Sequence, residues 1–325
     1  MENSSQLYDT YYYDVNEFPF NFLMWKTLPT IIIVWNTLSF IVGITGNGLV
    51  IWIAGFKMKN ISGVWLLNLA ITDFICNISI PLQMVMIVCI ITGNWQHFSN
   101  LVAMNFTILI INMFTSVSFL TAISIDRCVS IMFPLWAKIH RTRKLVTNTV
   151  ITIWVFSVIL SVPHLVYMHI YRFDPFTPYT LPINGSNTIF LQYIMKIQNV
   201  LYIIKAVLMF LVPFIIIFIC YCLIIFKLKT IKRWSRSQRP FRIIIAIVTG
   251  FFICWFPHHI YPLIPDTEKL VIFRFYFHLI SHHLAYFSSC LNPILYVILG
   301  QNIKGNFKKA IVTTLKNAFN EKEIL

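Results

Sequence analysis

Charge is what this 325-residue chain has least of: Asp, Glu, Lys and Arg make up 11% of it, against 58% hydrophobic residues. A soluble domain of this size carries about a quarter charged residues, so a polytopic membrane protein is implied. Acids are scarcer than bases, eleven against twenty-five, and only Asp73 and Asp126 fall within apolar runs. Cysteine is absent between Cys128 and Cys220, so no disulfide pins the long connection between the fourth and fifth apolar runs. No short leader with a small-residue cleavage site precedes the first run, which predicts that this run serves as an uncleaved signal anchor. Internal repeats with interrupted helices are missing, which argues against a transporter. A nucleophile–base pair or metal-ligand set is missing too, so no enzyme is expected. His258, His259, His282 and His283 cluster near the outer ends of the last two runs, but neighbours at i and i+1 diverge by about 100° on a helix. One His from each pair can meet a zinc ion, yet no carboxylate completes the site, and aromatic packing with pocket polarity is the expected role.

What is there is a succession of seven apolar runs, each long enough to span a bilayer: 30–56, 64–91, 101–132, 146–168, 200–226, 243–264 and 271–299. The fold class predicted is an all-α membrane protein, a seven-transmembrane helix bundle with a short amphipathic cytoplasmic helix after the seventh span. Residues 1–29 form an acidic, tyrosine-rich outer tail, 30–300 the seven-span bundle, and 301–325 the amphipathic helix and tail. Of the 25 basic residues, eighteen lie in 57–59, 138–144, 227–242 and the segment after span seven, and five lie on the other side. The positive-inside rule then puts the amino terminus outside and the carboxyl terminus in the cytoplasm, and explains the net charge of +14 without nucleic acid. On that topology Asn3 and Asn184 are glycosylation acceptors, whereas the similar triplets at Asn60, Asn77 and Asn105 stay unmodified.

Polar residues inside hydrocarbon are functional candidates by default. Asp73 lies about 14 Å inside span two. Asn112 and Ser116 on span three, and Ser288, Ser289 and Asn292 on span seven, are spaced to cage it around a small cation or water, or to act as interhelical glue. Asp126 and Arg127 end an uncharged stretch beginning at Leu101. Lys205 sits about 12 Å above Pro213 in an otherwise uncharged run, with no intramembrane acid left to pair with it; a snorkelling lysine is the alternative. Pro163, Pro213, Pro257 and Pro293 predict kinks in spans four to seven.

Gly46-Asn47, Asp73, Asp126-Arg127-Cys128, Trp154, Pro213 with Tyr221, the run from Cys254 to Pro257, and Asn292-Pro293 through Tyr296 occur in that order on successive spans. Together they resemble the rhodopsin-like G-protein-coupled receptors across nearly the whole chain. The stretches 46–59, 112–117, 124–136, 239–245 and 289–304 resemble the chemoattractant branch, which contains the formyl-peptide, anaphylatoxin and chemerin receptors, the chemerin-receptor group being most alike. The resemblance implies that Asp126 holds Arg127 at rest, and that Arg127 meets the G protein when span six swings outward. It implies that Phe251, Trp255, Pro257, Asn292, Pro293, Tyr296 and Tyr221 relay the change, and that Asp73, Asn112, Ser116 and Ser289 hold a sodium ion. Lys205 matches a position used against a peptide's terminal carboxylate, and Leu109, His278 and Arg172 join it as candidate ligand-binding residues. The partners implied are an extracellular peptide or protein ligand, an inhibitory-class heterotrimeric G protein and the lipid bilayer of the plasma membrane. Arrestin is expected to bind weakly, since Thr313 and Thr314 are the only hydroxyls in the tail. The family's outer disulfide is missing: Val102 stands where its first cysteine would be. A receptor-like protein with a weak or atypical ligand response, scavenging or chemosensory, is therefore the alternative expectation.

Overall fold

An apolar segment in hydrocarbon has no water to satisfy its amides, so each run closes its hydrogen bonds internally as a helix. The computed structural model describes residues 22–58, 60–91, 99–170, 200–230, 234–265 and 270–298. The outer tail with Asn3, the loop carrying Arg172 and Asn184, and the amphipathic segment 302–319 lie outside the described residues, as does the side chain of Tyr296.

Among the described residues, six helical stretches are long and apolar enough to cross a membrane: Thr27–Lys57, Ile61–Cys89, Ala103–Met132, Arg143–Val166, Val200–Thr230 and Ile243–Leu263. The seventh, Val271–Ile298, matches them in length but carries Arg274, three histidines, three serines and Asn292 among its apolar residues. The first helix begins at Phe22, eight residues before the expected start of span one. A short helix, Pro134–His140, lies between spans three and four.

Local chemistry sets the ends and bends. Asn60 caps span two by accepting the Gly63 N–H at 2.9 Å. That span breaks at Ser79, between Ile61–Ile78 and Ile80–Ile91, because Pro81 has no N–H for the helix to use. Pro81 is a kink that the reading of spans four to seven passed over. Span five widens into a π turn at Val207–Leu211, just before Pro213.

Span three is the axle of the bundle, packing against spans two, four and five, while span seven closes the ring against spans six, one and two. Its side chains Leu109, Ile110, Met113, Val117 and Phe119 join Trp255, Ile224 and Tyr286 in the core. Ile31, Val34, Leu38 and Ile41 on span one, and Ile151, Val155 and Ile159 on span four, are exposed, as lipid-facing stripes must be.

Candidate functional site

Three polar layers lie at successive depths in this bundle. The middle one is centred on Asp73, which is 2% exposed. Its carboxylate accepts from Asn112 Nδ2 at 3.1 Å and Ser116 Oγ at 3.3 Å on one oxygen, and from Asn292 Nδ2 at 2.6 Å on the other. Ser289 differs from these donors. Its hydroxyl gives its proton to the Tyr286 carbonyl of its own helix at 2.6 Å and not to Asp73. Ser288 likewise bonds the Ala285 carbonyl at 2.7 Å and receives the Trp255 indole N–H at 3.0 Å. The Ser289 carbonyl enters instead. Pro293 lacks the N–H that would have bonded it, and Asn47 Nδ2 at 2.9 Å and Asn77 Nδ2 at 3.4 Å donate to it from spans one and two. The proline ring occupies the notch left by Gly46, where a Cβ would come within 2.5 Å of Pro293 Cβ. Two acceptors in this layer are buried with no partner among the described residues, Asn112 Oδ1 and Asn47 Oδ1.

Toward the end carrying the basic loops lies the arginine layer. Asp126 does not hold its neighbour Arg127, because consecutive side chains on a helix point about 100° apart. Arg141, just past the short helix, grips the Asp126 carboxylate through Nε at 2.6 Å and Nη2 at 2.7 Å. Arg127, 4% exposed, instead donates from Nη2 to the Ser62 hydroxyl at 2.9 Å, and Arg141 reaches the same hydroxyl at 3.3 Å. Buried Tyr221 faces this region with its own hydroxyl unpartnered among the described residues. Ser62 and Arg141 were not on the sequence's list of site residues; the only signal for them was their place beside predicted span ends.

At the opposite end an aromatic and imidazole layer covers Trp255. Phe251 and His258 flank the indole at 6.0 and 5.5 Å between centroids, and Phe210 meets Phe252 at 5.1 Å and His259 at 5.0 Å. His282 packs on Phe106 at 4.6 Å and Tyr286 at 5.2 Å, and His278 on Tyr261 at 4.6 Å. Of the four outer histidines, His258, His259 and His282 thus pack with aromatic rings, while His283 meets the His282 ring at 5.9 Å. Tyr286 donates to Asn105, and Asn105 donates to the Ser79 carbonyl at 2.8 Å, tying spans seven, three and two above Asp73. Lys205 is half-buried, its ammonium 4.6 Å from the centre of the Tyr202 ring. Among the described residues no carboxylate comes within ion-pairing distance of it. Leu109 is 0% exposed inside the main apolar cluster, so it presents no surface to a ligand in this conformation.

These layers sit on a bundle whose residues 46–296 match the family described as 7 transmembrane receptor (rhodopsin family), and the chain belongs to that family. It is a class A G-protein-coupled receptor of the chemoattractant kind, a multi-pass membrane protein and not an enzyme, with an extracellular ligand and a G protein as partners. It is 36% identical to chemerin-like receptor 1 of Sus scrofa over 304 residues, covering 90% of this chain and 82% of that receptor. With the C3a anaphylatoxin chemotactic receptor of Oncorhynchus mykiss it shares 32% identity over 317 residues, 97% of this chain and 86% of that one. With N-formyl peptide receptor 3 of Homo sapiens the identity is 32% over 295 residues, 87% and 83% of the two chains.

Proposed function

We propose that this receptor sits in the plasma membrane with its amino terminus outside, takes a peptide or small-protein chemoattractant with a free C-terminal carboxylate, and signals through an inhibitory-class G protein. The observation that carries the ligand reading is Lys205: a half-buried ammonium with an aromatic ring beside it and no acid within reach among the described residues. A carboxylate arriving in so poorly solvated a place forms a charge-assisted hydrogen bond that water weakens little. The relatives' names, which speak of chemerin, anaphylatoxin and formyl peptide, support a peptide or protein ligand. His278 on span seven joins Lys205 in this reading, and the acidic tail 1–29 steers basic parts of the ligand toward the mouth.

Activation then runs inward through side chains already in contact. A ligand pressing on the imidazole layer moves Trp255, which is bonded to Ser288 and packed on Phe251. Pro257 and Pro293 are the hinges, and Asn292, now on Asp73, moves with span seven and Tyr296. At the basic end Arg127 leaves Ser62 to meet the G protein, and Tyr221, whose hydroxyl is free among the described residues, is placed to receive it. A small cation such as sodium suits the middle layer. Asp73 supplies the charge, Ser116 and Ser289 hydroxyl oxygens whose protons are donated elsewhere, and Asn112 Oδ1 an acceptor with no partner among the described residues. Bound there, the ion neutralises Asp73 and favours the resting arrangement.

The test is suppression of cAMP in cells expressing the receptor, challenged with peptides carrying free or amidated C-termini. A pertussis-toxin-sensitive response to the acid forms alone is expected. A toxin-insensitive response removes the G-protein assignment, and a preference for amides removes the carboxylate. A response to neither favours the second reading, a weakly or atypically responding receptor, for which the absence of the outer cysteine pair is the specific ground.

A further inference from the structure

His278 and His282 stand four residues apart on the seventh helix, and so one turn apart on a single face. Their rings lie close to parallel, with centroids 6.0 Å apart and planes inclined by 18°. His282 is 3% exposed, and neither of its ring nitrogens has a hydrogen-bond partner among the described residues. Phe106 and Tyr286 pack against the ring, and the Tyr286 hydroxyl is already donated to Asn105. An imidazole this deep with both nitrogens idle has given up the hydrogen bonds of water without replacement, which is rare unless something else takes them. Aromatic packing accounts for its faces but not for its nitrogens.

Two imidazoles at i and i+4 on one helical face form the donor arrangement by which helices hold zinc. Imidazole nitrogen suits that class of ion, which binds it at about 2.0–2.1 Å. Side chains at i and i+4 on a helix are neighbours, so side-chain rotation alone can bring one nitrogen of each toward a common ion. We propose that His278 and His282 form a half-site for a zinc-class divalent cation in the outer half of span seven. Water, or a donor group of the ligand, fills the remaining positions, as at zinc sites that keep coordination open. Among the described residues no group of three or more His, Cys, Asp or Glu is arranged to hold a metal alone, which is why the site is a half-site.

The surroundings decide what completes it. His283 is turned away, its Nδ1 within 2.7 Å of the Leu279 carbonyl. His258 stacks edge-on to Trp255, and His259 packs against Phe210 on span six. Arg274 lies one turn outward, its charge on the Ile264 carbonyl and the Tyr261 ring, and Lys205 stands on span five over Tyr202. With two cations in the neighbourhood and no carboxylate from the described residues, the ion binds weakly on its own and more tightly when a ligand brings an acid. Only this last clause rests on the proposed ligand; the metal site stands on the histidine pair.

The experiment uses the purified full-length receptor without ligand. Thermal unfolding is followed as Zn²⁺ is titrated at submillimolar concentration with Mg²⁺ as control, and Co²⁺ is added separately to read the visible absorption of nitrogen-ligated cobalt. A rise in unfolding temperature with Zn²⁺ alone, and a cobalt band, are expected. His278→Gln and His282→Gln should each weaken both at least tenfold, whereas His140→Gln, at the basic end, should change neither. Should His282→Gln fold poorly, His278→Gln carries the comparison, since that side chain is only partly buried. No zinc response in the natural sequence, or a response that survives His278→Gln, overturns the site. Because no agonist is present, that failure leaves the carboxylate reading of Lys205 untouched.

Discussion

Arg141 holds the carboxylate of Asp126 in a two-pronged grip, at 2.6 and 2.7 Å, and both partners are largely shielded from solvent. The acid that the sequence pairs with its neighbour is thereby given to a residue fifteen positions on, and Arg127 donates to the Ser62 hydroxyl. Spans two and three and the loop after span three meet at this one junction, with Ser62 receiving both guanidinium groups.

Arg141→Ala should therefore loosen the resting state. Hydrogen bonds to charged groups contribute about 1.5–3 kcal/mol each, and removing one partner leaves Asp126 free to compete for Arg127 or to draw in water. Basal nucleotide exchange on a purified G protein should change by several-fold, with Arg141→Lys intermediate because an ammonium cannot reproduce the planar two-pronged contact. Unaltered exchange in a folded Arg141→Ala receptor would show the grip to be structural only.

Sodium dependence tests the middle layer. Agonist affinity should fall as sodium replaces a large organic cation at constant ionic strength, and Asp73→Asn should abolish the effect. Ser289→Ala should weaken it without abolishing it, because that hydroxyl gives its proton to the Tyr286 carbonyl and keeps its oxygen lone pairs for the ion, while Asp73 retains the charge. A sodium response that survives Asp73→Asn would reduce the cluster to interhelical glue.

Lys205 is separable into charge and stem. Lys205→Met keeps the stem and deletes the charge, and should cost an acid-ended agonist tenfold or more in potency, about 1.4 kcal/mol, while costing its amide little. Lys205→Arg keeps the charge with a different geometry and should fall between. Equal losses for acid and amide would return Lys205 to a snorkelling role.

Gly46→Ala probes the notch that receives Pro293. A methyl group there meets a rigid ring and not a flexible side chain. Overpacking of this kind typically costs about 1–3 kcal/mol, which should appear as a lowered unfolding temperature of the purified receptor. Gly48→Ala, whose nearest neighbour is Phe74 Cε2 at 3.5 Å, should be close to neutral.

The seven spans and the residues of the polar layers were legible because hydrocarbon punishes charge and rewards long apolar runs, so Asp73, Asp126, Arg127 and Lys205 stand out without any structure. What sequence spacing does not carry is the choice each polar group makes among nearby partners. Ser289 shares a stripe with Asn292, yet its hydroxyl finds its own backbone first. Asp126 is adjacent to Arg127, but helix geometry aims the two apart and Arg141 arrives through the fold of a loop. Leu109 lies near the outer end of span three, and only packing reveals that its neighbours cover it completely. Asn77 and Cys290 join the middle layer through a thiol contact at 3.1 Å between spans two and seven that no linear pattern announces.

The carbonyl that Pro293 sets free has a consequence for biosynthesis. Asn47, which donates to it, leaves the ribosome 242 residues before Ser289 does. At about 5–20 residues per second, the first two spans wait on the order of 10–50 s in the membrane before the last one arrives. During that interval the amide of Asn47 lies in hydrocarbon without the partner it will keep, whereas that of Asn77 already has the Asp73 carbonyl of its own helix at 2.7 Å. A chain that stops short of span seven is thus expected to leave the Asn47 amide without this acceptor.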